Sequence, residues 1–190
     1  MRSRFFTKNS MYQRFTTQKA LLDKYADGFY VGLCKPLTNK YVEMSLKGKE
    51  DEWLQKPDHE IYKDAVETEN HQYKLDSEGK DGRHSAFEGL EHEDLEVKAE
   101  TLTNPDTFEK FMDNSDVAII SYHQNTGDAH QVAFRKNRKE GNCSFFDANR
   151  VGGQIKGNCP SVRKFMSASI KSEIDEEFDA LVGLLKPPKA

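Results

Sequence analysis

The sequence predicts an α+β fold: a central antiparallel β-sheet in the C-terminal half packed against N-terminal and C-terminal helices. Residues 117–147 hold three apolar runs rich in β-branched and aromatic side chains, separated by polar turns, the pattern of antiparallel strands joined by hairpins. Near the start of the chain, Tyr12, Phe15, Leu21, Leu22 and Tyr25 recur at helical spacing. Near its end, Val162, Phe165, Met166, Ile170, Ile174, Phe178, Leu181 and Leu185 do the same.

Residues 1–22 carry five Lys/Arg and no acid, among Ser, Thr, Asn and Gln, so residues 1–10 are expected to be a mobile N-terminus or a secretion signal. The helix over residues 12–25 has its stop at Asp27 and Gly28. An extended apolar stretch over residues 29–34 then leads into a helix with Cys34 at its mouth. Pro36 suits the first turn, where a missing N–H costs no hydrogen bond. Residues 47–100 contain seventeen Asp/Glu against eight Lys/Arg and read as a charged insertion. Within it a helix over residues 58–73 uses Asp58 as cap and faces inward with Ile61, Ala65, Val66 and Tyr73. Such a span is ordinarily a solvated helical face; as a rim over a substrate its acidity would favour a basic segment.

A short helix over residues 105–113, capped by Asn104, turns Phe108, Phe111 and Met112 inward. Strands follow over residues 117–122, 129–134 and 143–147. After a Gly-rich connection, residues 161–185 read as one helix or two, with Pro187 and Pro188 as the stop. Residues 11–190 are therefore expected to form a single domain, consistent with 190 residues of which 36% are hydrophobic.

Composition excludes several function classes. A net charge of −4 and a pI near 5.9 leave no basic face for phosphates, and no nucleic-acid partner is expected. No apolar run is long enough for a membrane span, and the N-terminus lacks the apolar segment of a cleaved signal peptide. Cys34, Cys143 and Cys159 are odd in number, form no C-x-x-C pair and show no disulfide-framework spacing, which fits synthesis in a reducing cytosol. Zinc on Cys143, Cys159 and two histidines is disfavoured, because ligand pairs usually lie a few residues apart. No metal and no cofactor is expected.

What remains is a constellation for acyl transfer. Cys34 at a helix start faces unpaired backbone N–H groups and the positive end of the helix dipole, both of which favour thiolate. His130 opens the second strand and Asp147 ends the third, so hairpin pairing brings these two ends side by side. The carboxylate can then hold one imidazole nitrogen and leave the other for the thiol, in the chain order Cys, His, Asp. Each residue alone has a plain structural reading: a small buried hydrophobe, a hairpin-end histidine, a strand-ending turn. His123 competes with His130 but has no carboxylate placed as its hairpin partner.

These residues resemble the YopT-like bacterial effector proteases, papain-like cysteine proteases with a Cys-His-Asp triad. The resemblance rests on Gly32-Leu33-Cys34, on Gly127-Asp128-Ala129-His130-Gln131-Val132-Ala133-Phe134, and on Phe145-Phe146-Asp147-Ala148-Asn149 followed by Gly152. The last string is similar to the family's Phe-Asp-Pro-Asn signature, with Ala148 in place of Pro. The resemblance covers about residues 28–46 and 116–153. It implies a papain-like catalytic domain over residues 11–190 with the charged insertion at about 47–100. It also implies Cys34, His130 and Asp147 as catalytic residues, a protein substrate in a eukaryotic host, and a monomer made in the bacterial cytoplasm and secreted into a host or target cell. The family also needs a side-chain amide upstream of the cysteine for the oxyanion. Six positions before Cys34 stands Gly28; the nearest upstream amide is Gln18, inside the first helix. The same three residues would serve a glutamine deamidase or an NlpC/P60-type cell-wall amidase, although the 96-residue gap from Cys34 to His130 is long for the latter. A non-catalytic binding module using the acidic span is the reading from another class.

Overall fold

The computed structural model describes residues 15–26 and 32–187. Helix α1 (Gln18–Tyr25) is capped by Thr17, whose hydroxyl accepts from the Ala20 N–H. Helices α2 (Cys34–Leu46), α3 (Glu50–Leu54) and α4 (Asp58–Ser77) follow, then a single 3₁₀ turn at Ser85–Phe87. Strand β1 (His92–Val97) precedes α5 (Ala99–Thr103) and α6 (Pro105–Phe111). Asn104 caps α6 by accepting from the Asp106 and Thr107 N–H groups, the role expected of it. Strands β2 (Val117–His123), β3 (Ala129–Asn137), β4 (Asn142–Phe146) and β5 (Gln154–Gly157) then run as a meander, followed by α7 (Cys159–Lys171) and β6 (Ala180–Leu185).

The strands form one antiparallel sheet in the order β1-β6-β2-β3-β4-β5. Period two sends alternate side chains of each strand to opposite faces, and both faces are covered. Ala118, Ile120, Val132, Phe134 and Phe145 pack against Phe108 of α6 and Val162, Met166 and Ile170 of α7. On the other face, Val117, Ile119, Ala133 and Phe146 meet Leu37, Tyr41 and Val42 of α2, with Trp53 of α3 and Ile61 and Ala65 of α4 beyond. In α4, Ile61 and Ala65 are buried as expected, whereas Tyr73 is 60% exposed. This two-sided α+β architecture is the expected one, and α2 is the helix pressed across β3.

Three expectations are corrected. The helical reading of residues 161–185 holds only to Lys171; Ala180-Leu181-Val182-Gly183-Leu184-Leu185 is strand β6, seated between β1 and β2. A strand covered on both faces carries a continuous apolar run, which periodicity alone does not separate from a buried helix. Second, the charged span contributes a strand, β1, at the sheet edge, where outward acids are tolerated. Third, Cys143 and Cys159 are joined in a disulfide, and Cys34 is the free cysteine. The β4–β5 hairpin pairs Cys143 with Gly157, so the chain returns Cys159 to its partner two residues later. The expectations for residues 1–14, for the helix stop at Asp27 and Gly28, for residues 29–31 and for Pro188 lie outside the described residues.

Candidate active site

Cys34 is the first residue of α2 and is partly exposed. Its neighbours Leu33 and Leu37 are fully buried, which anchors the helix start in the core. Leu33, at the cap position, lacks a capping side chain of its own; its N–H donates instead to Gln18 Oε1 at 2.8 Å. One turn further, Thr38 Oγ1 donates to the Gln131 carbonyl at 3.1 Å and Asn39 Nδ2 to Gln131 Oε1 at 3.0 Å. Gln131 follows His130, so these buried bonds set α2 against the start of β3.

His130 and Asp147 form a buried pair with Nε2 to Oδ1 at 2.8 Å. The same Asp147 oxygen accepts the Asn149 N–H at 2.9 Å, which fixes the carboxylate on the turn after β4. Because a carboxylate accepts, Nε2 of His130 carries a proton and Nδ1 is left for other chemistry. On the opposing strand Tyr122 is the register partner of His130, and the rings meet edge to face at 5.7 Å. Burial pulls the imidazole pKa down, but hydrogen bonds with Asp147 and Cys34, together with the charges of both, raise it to about 10. The Tyr122 hydroxyl donates to Glu173, just beyond α7, and burial and this carboxylate together push the phenol pKa upward.

Cys34, His130 and Tyr122 line one cleft of about 310 Å³, with Lys35, Arg83 and Gln131 also on its walls. The structure thus brings Cys34 and His130 to one cleft, with Asp147 bonded to the imidazole. His123 lies on the same cleft, but its ring packs on Phe178 at 4.7 Å. From the acidic span it is Arg83, a cation, that reaches the cleft.

Gln18 could not be assigned from spacing, yet it is adjacent to the cysteine's helix start. Its Nε2 donates to Asn149 Oδ1 at 2.5 Å, so it bridges the turn after Asp147 and the residue before Cys34. Asn149 in turn lies 3.5 Å from His130 Nε2. The signal in the sequence was the amide type alone; its distance from Cys34 along the chain concealed it. Among the described residues, two groups converge as metal ligands would: His130, Asp147 and Glu173, and separately Asp81, His84, His92 and Asp94.

No family model matches the sequence, and no curated protein does. Among solved structures the fold is similar to that of the Pseudomonas avirulence protein AvrPphB. The two are 13% identical, with 94% of this chain and 98% of that chain covered and a TM-score of 0.52. At that identity the likeness is one of fold, and the fold is papain-like, as the resemblance to the YopT-like group implied.

Proposed function

We propose that this chain is a thiol protease of the effector type, hydrolysing a peptide bond in a host protein through Cys34, His130 and Asp147. The observation that carries the reading is the buried His130–Asp147 pair at 2.8 Å, whose imidazole lines the same cleft as a cysteine at a helix start. His130 takes the Cys34 proton, and the thiolate sulfur attacks the scissile carbonyl carbon. The oxygen of the tetrahedral intermediate takes up the negative charge. The Cys34 N–H, which as a first-turn donor has no intrahelical acceptor, and the Gln18 amide are the donors for it. His130 then returns its proton to the leaving amine, the C–N bond breaks, and a thioester to Cys34 remains. Water attacks the thioester with His130 again as base, releasing the acid and the thiol. Asp147 holds the imidazole by Nε2 throughout.

The fold shared with an avirulence protein supports the effector part of this reading, in which the chain is made in bacteria and acts on a protein inside a host cell. Iodoacetamide at mildly acidic pH tests the chemistry, followed by host-cell expression of wild type and Cys34→Ala. Rapid, selective alkylation of Cys34 and loss of a host protein only with wild type are expected. A Cys34 that reacts no faster than a free thiol sinks every reading based on thiol catalysis. Ammonia release without chain cleavage points to a deamidase, and toxicity confined to the bacterial periplasm to a cell-wall amidase.

A further inference from the structure

We propose that Asp81, His84, His92 and Asp94 form a tetrahedral site for a divalent transition metal of the zinc class, fixing one wall of the cleft. Four ligand atoms converge from separate segments. Nδ1 of His84 lies 2.8 Å from Asp81 Oδ2 and 3.0 Å from Asp94 Oδ1, and Nε2 of His92 lies 3.1 Å and 3.7 Å from the same two oxygens. Zinc bonded at about 2.0–2.1 Å in tetrahedral geometry holds neighbouring ligand atoms about 3.3 Å apart. The four measured edges straddle that value, and all four atoms lie within 4.8 Å of one another.

The hydrogen bonds outside the cluster favour a cation within it. His92 Nδ1 faces the Leu90 carbonyl at 3.2 Å; a carbonyl only accepts, so this nitrogen bears the proton. In the neutral ring Nε2 is then a bare lone pair directed at two carboxylate oxygens, an arrangement that repels unless positive charge sits between them. A backbone carbonyl holding the far N–H is also the usual support of a metal-bound histidine. Asp81 is prepared likewise: its Oδ1 accepts the His84 N–H at 3.1 Å, which leaves Oδ2 for the cluster. His84 is buried, with its side chain fully enclosed and Nε2 without a hydrogen-bond partner, so its reactive contact is the one made by Nδ1.

The surrounding fold makes room for this geometry. His92 and Asp94 are two apart on β1 and share a face, and Asp94 is the register partner of Gly183 on β6. A Cβ at Gly183 would stand 2.8–2.9 Å from three atoms of the His84 ring, so only glycine admits the imidazole there. Two aspartates offset the charge of a divalent ion, and four protein ligands close its coordination, which is the pattern of structural zinc. A cavity of about 410 Å³ bordered by Asp81, His84 and Asp94 gives the ion an approach. Arg83, between two of the ligands in sequence, lines the Cys34 cleft, and its carbonyl accepts from Asn39 and Gln131. An ion here ties that segment to the sheet.

Cobalt titration of the full chain, stripped beforehand with a chelator, tests the site. One Co²⁺ per chain is expected, with the visible d–d bands of a tetrahedral centre and no sulfur charge-transfer band. Zn²⁺ should bleach the colour and raise the thermal midpoint. The colour is expected to vanish in His92→Gln and in Asp94→Asn, and to persist in Cys34→Ser, while in chelator the two ligand variants melt as wild type does. A colourless wild type, colour that survives both ligand variants, or colour that depends on Cys34 overturns the proposal. So does a thermal midpoint that follows pH but not Zn²⁺, since protons would then hold the cluster.

Discussion

His130 is the residue whose environment decides most. Its pKa is raised to about 10 against an ordinary 6.5, so the folded state holds the imidazolium proton that the unfolded chain releases. The stability this contributes is fully present below about pH 6.5 and is lost as pH rises through about 10. The thermal midpoint should therefore fall across that window in wild type and fall less in His130→Ala. On the proposed mechanism, kcat/KM should have its alkaline limb near pH 10, where the acid that protonates the leaving amine is lost. Asp147→Asn removes the acceptor that orients the ring and should lower kcat by about 10⁴-fold, and Gln18→Ala by about 10²–10³-fold, both read in steady-state assays with a cleaved peptide. The pairing of His130 with Asp147 was legible because one hairpin links their strands, which makes it a local matter. The role of Gln18 was not, because its contact with Leu33 depends on the path of the chain between them.

At the level of elements, the meander β2–β4 was legible, whereas β5, inside the stretch that reads as a Gly-rich connection, and the return strand β6 were not. Short apolar runs separated by polar turns announce hairpins, whereas the apolar run of β6 fits a helix of the same composition equally well. The disulfide belongs to the same scale: it joins β4 to the first residue of α7 across a separation of 16 residues. Closing a loop of that length restricts the unfolded chain by about 3 kcal/mol. Reduction, or the double change Cys143→Ser with Cys159→Ser, should cost stability of that order in denaturant titration. Alkylation of Cys34 should continue unchanged, because the bond lies on the far part of the sheet from the cleft. Gly183→Val sets a side chain against the His84 ring and should destabilise by about 1–3 kcal/mol, which thermal unfolding would read.

For the molecule as a whole, the order β1-β6-β2 means that the last strand in sequence fills a place inside the sheet. A chain ending at Asp179 leaves β1 without its partner and exposes the edge of β2, along with Val117, Ile119 and the other side chains buried there. Such a truncation should lose cooperative thermal unfolding by circular dichroism. The charge balance works at the same scale. The acidic span turns its acids mostly to solvent, yet its one residue on the cleft wall with Cys34 is Arg83. Composition therefore misleads about the cleft: averaged over a segment, it says nothing about which side chain the fold turns inward.

The sequence by itself determined the α+β class, the three hairpin-linked strands β2–β4, the start of α2 at Cys34 and the adjacency of His130 and Asp147. All of these follow from periodicity, caps and hairpin pairing over short stretches of chain. Tertiary structure alone decided the rest: β6 in the sheet interior, the disulfide, Gln18 beside the cysteine, and the convergence of Asp81, His84, His92 and Asp94. Each of these joins segments through contacts that many other foldings of the same local elements would not make. Burial of both faces of one sheet selects the arrangement in which they occur.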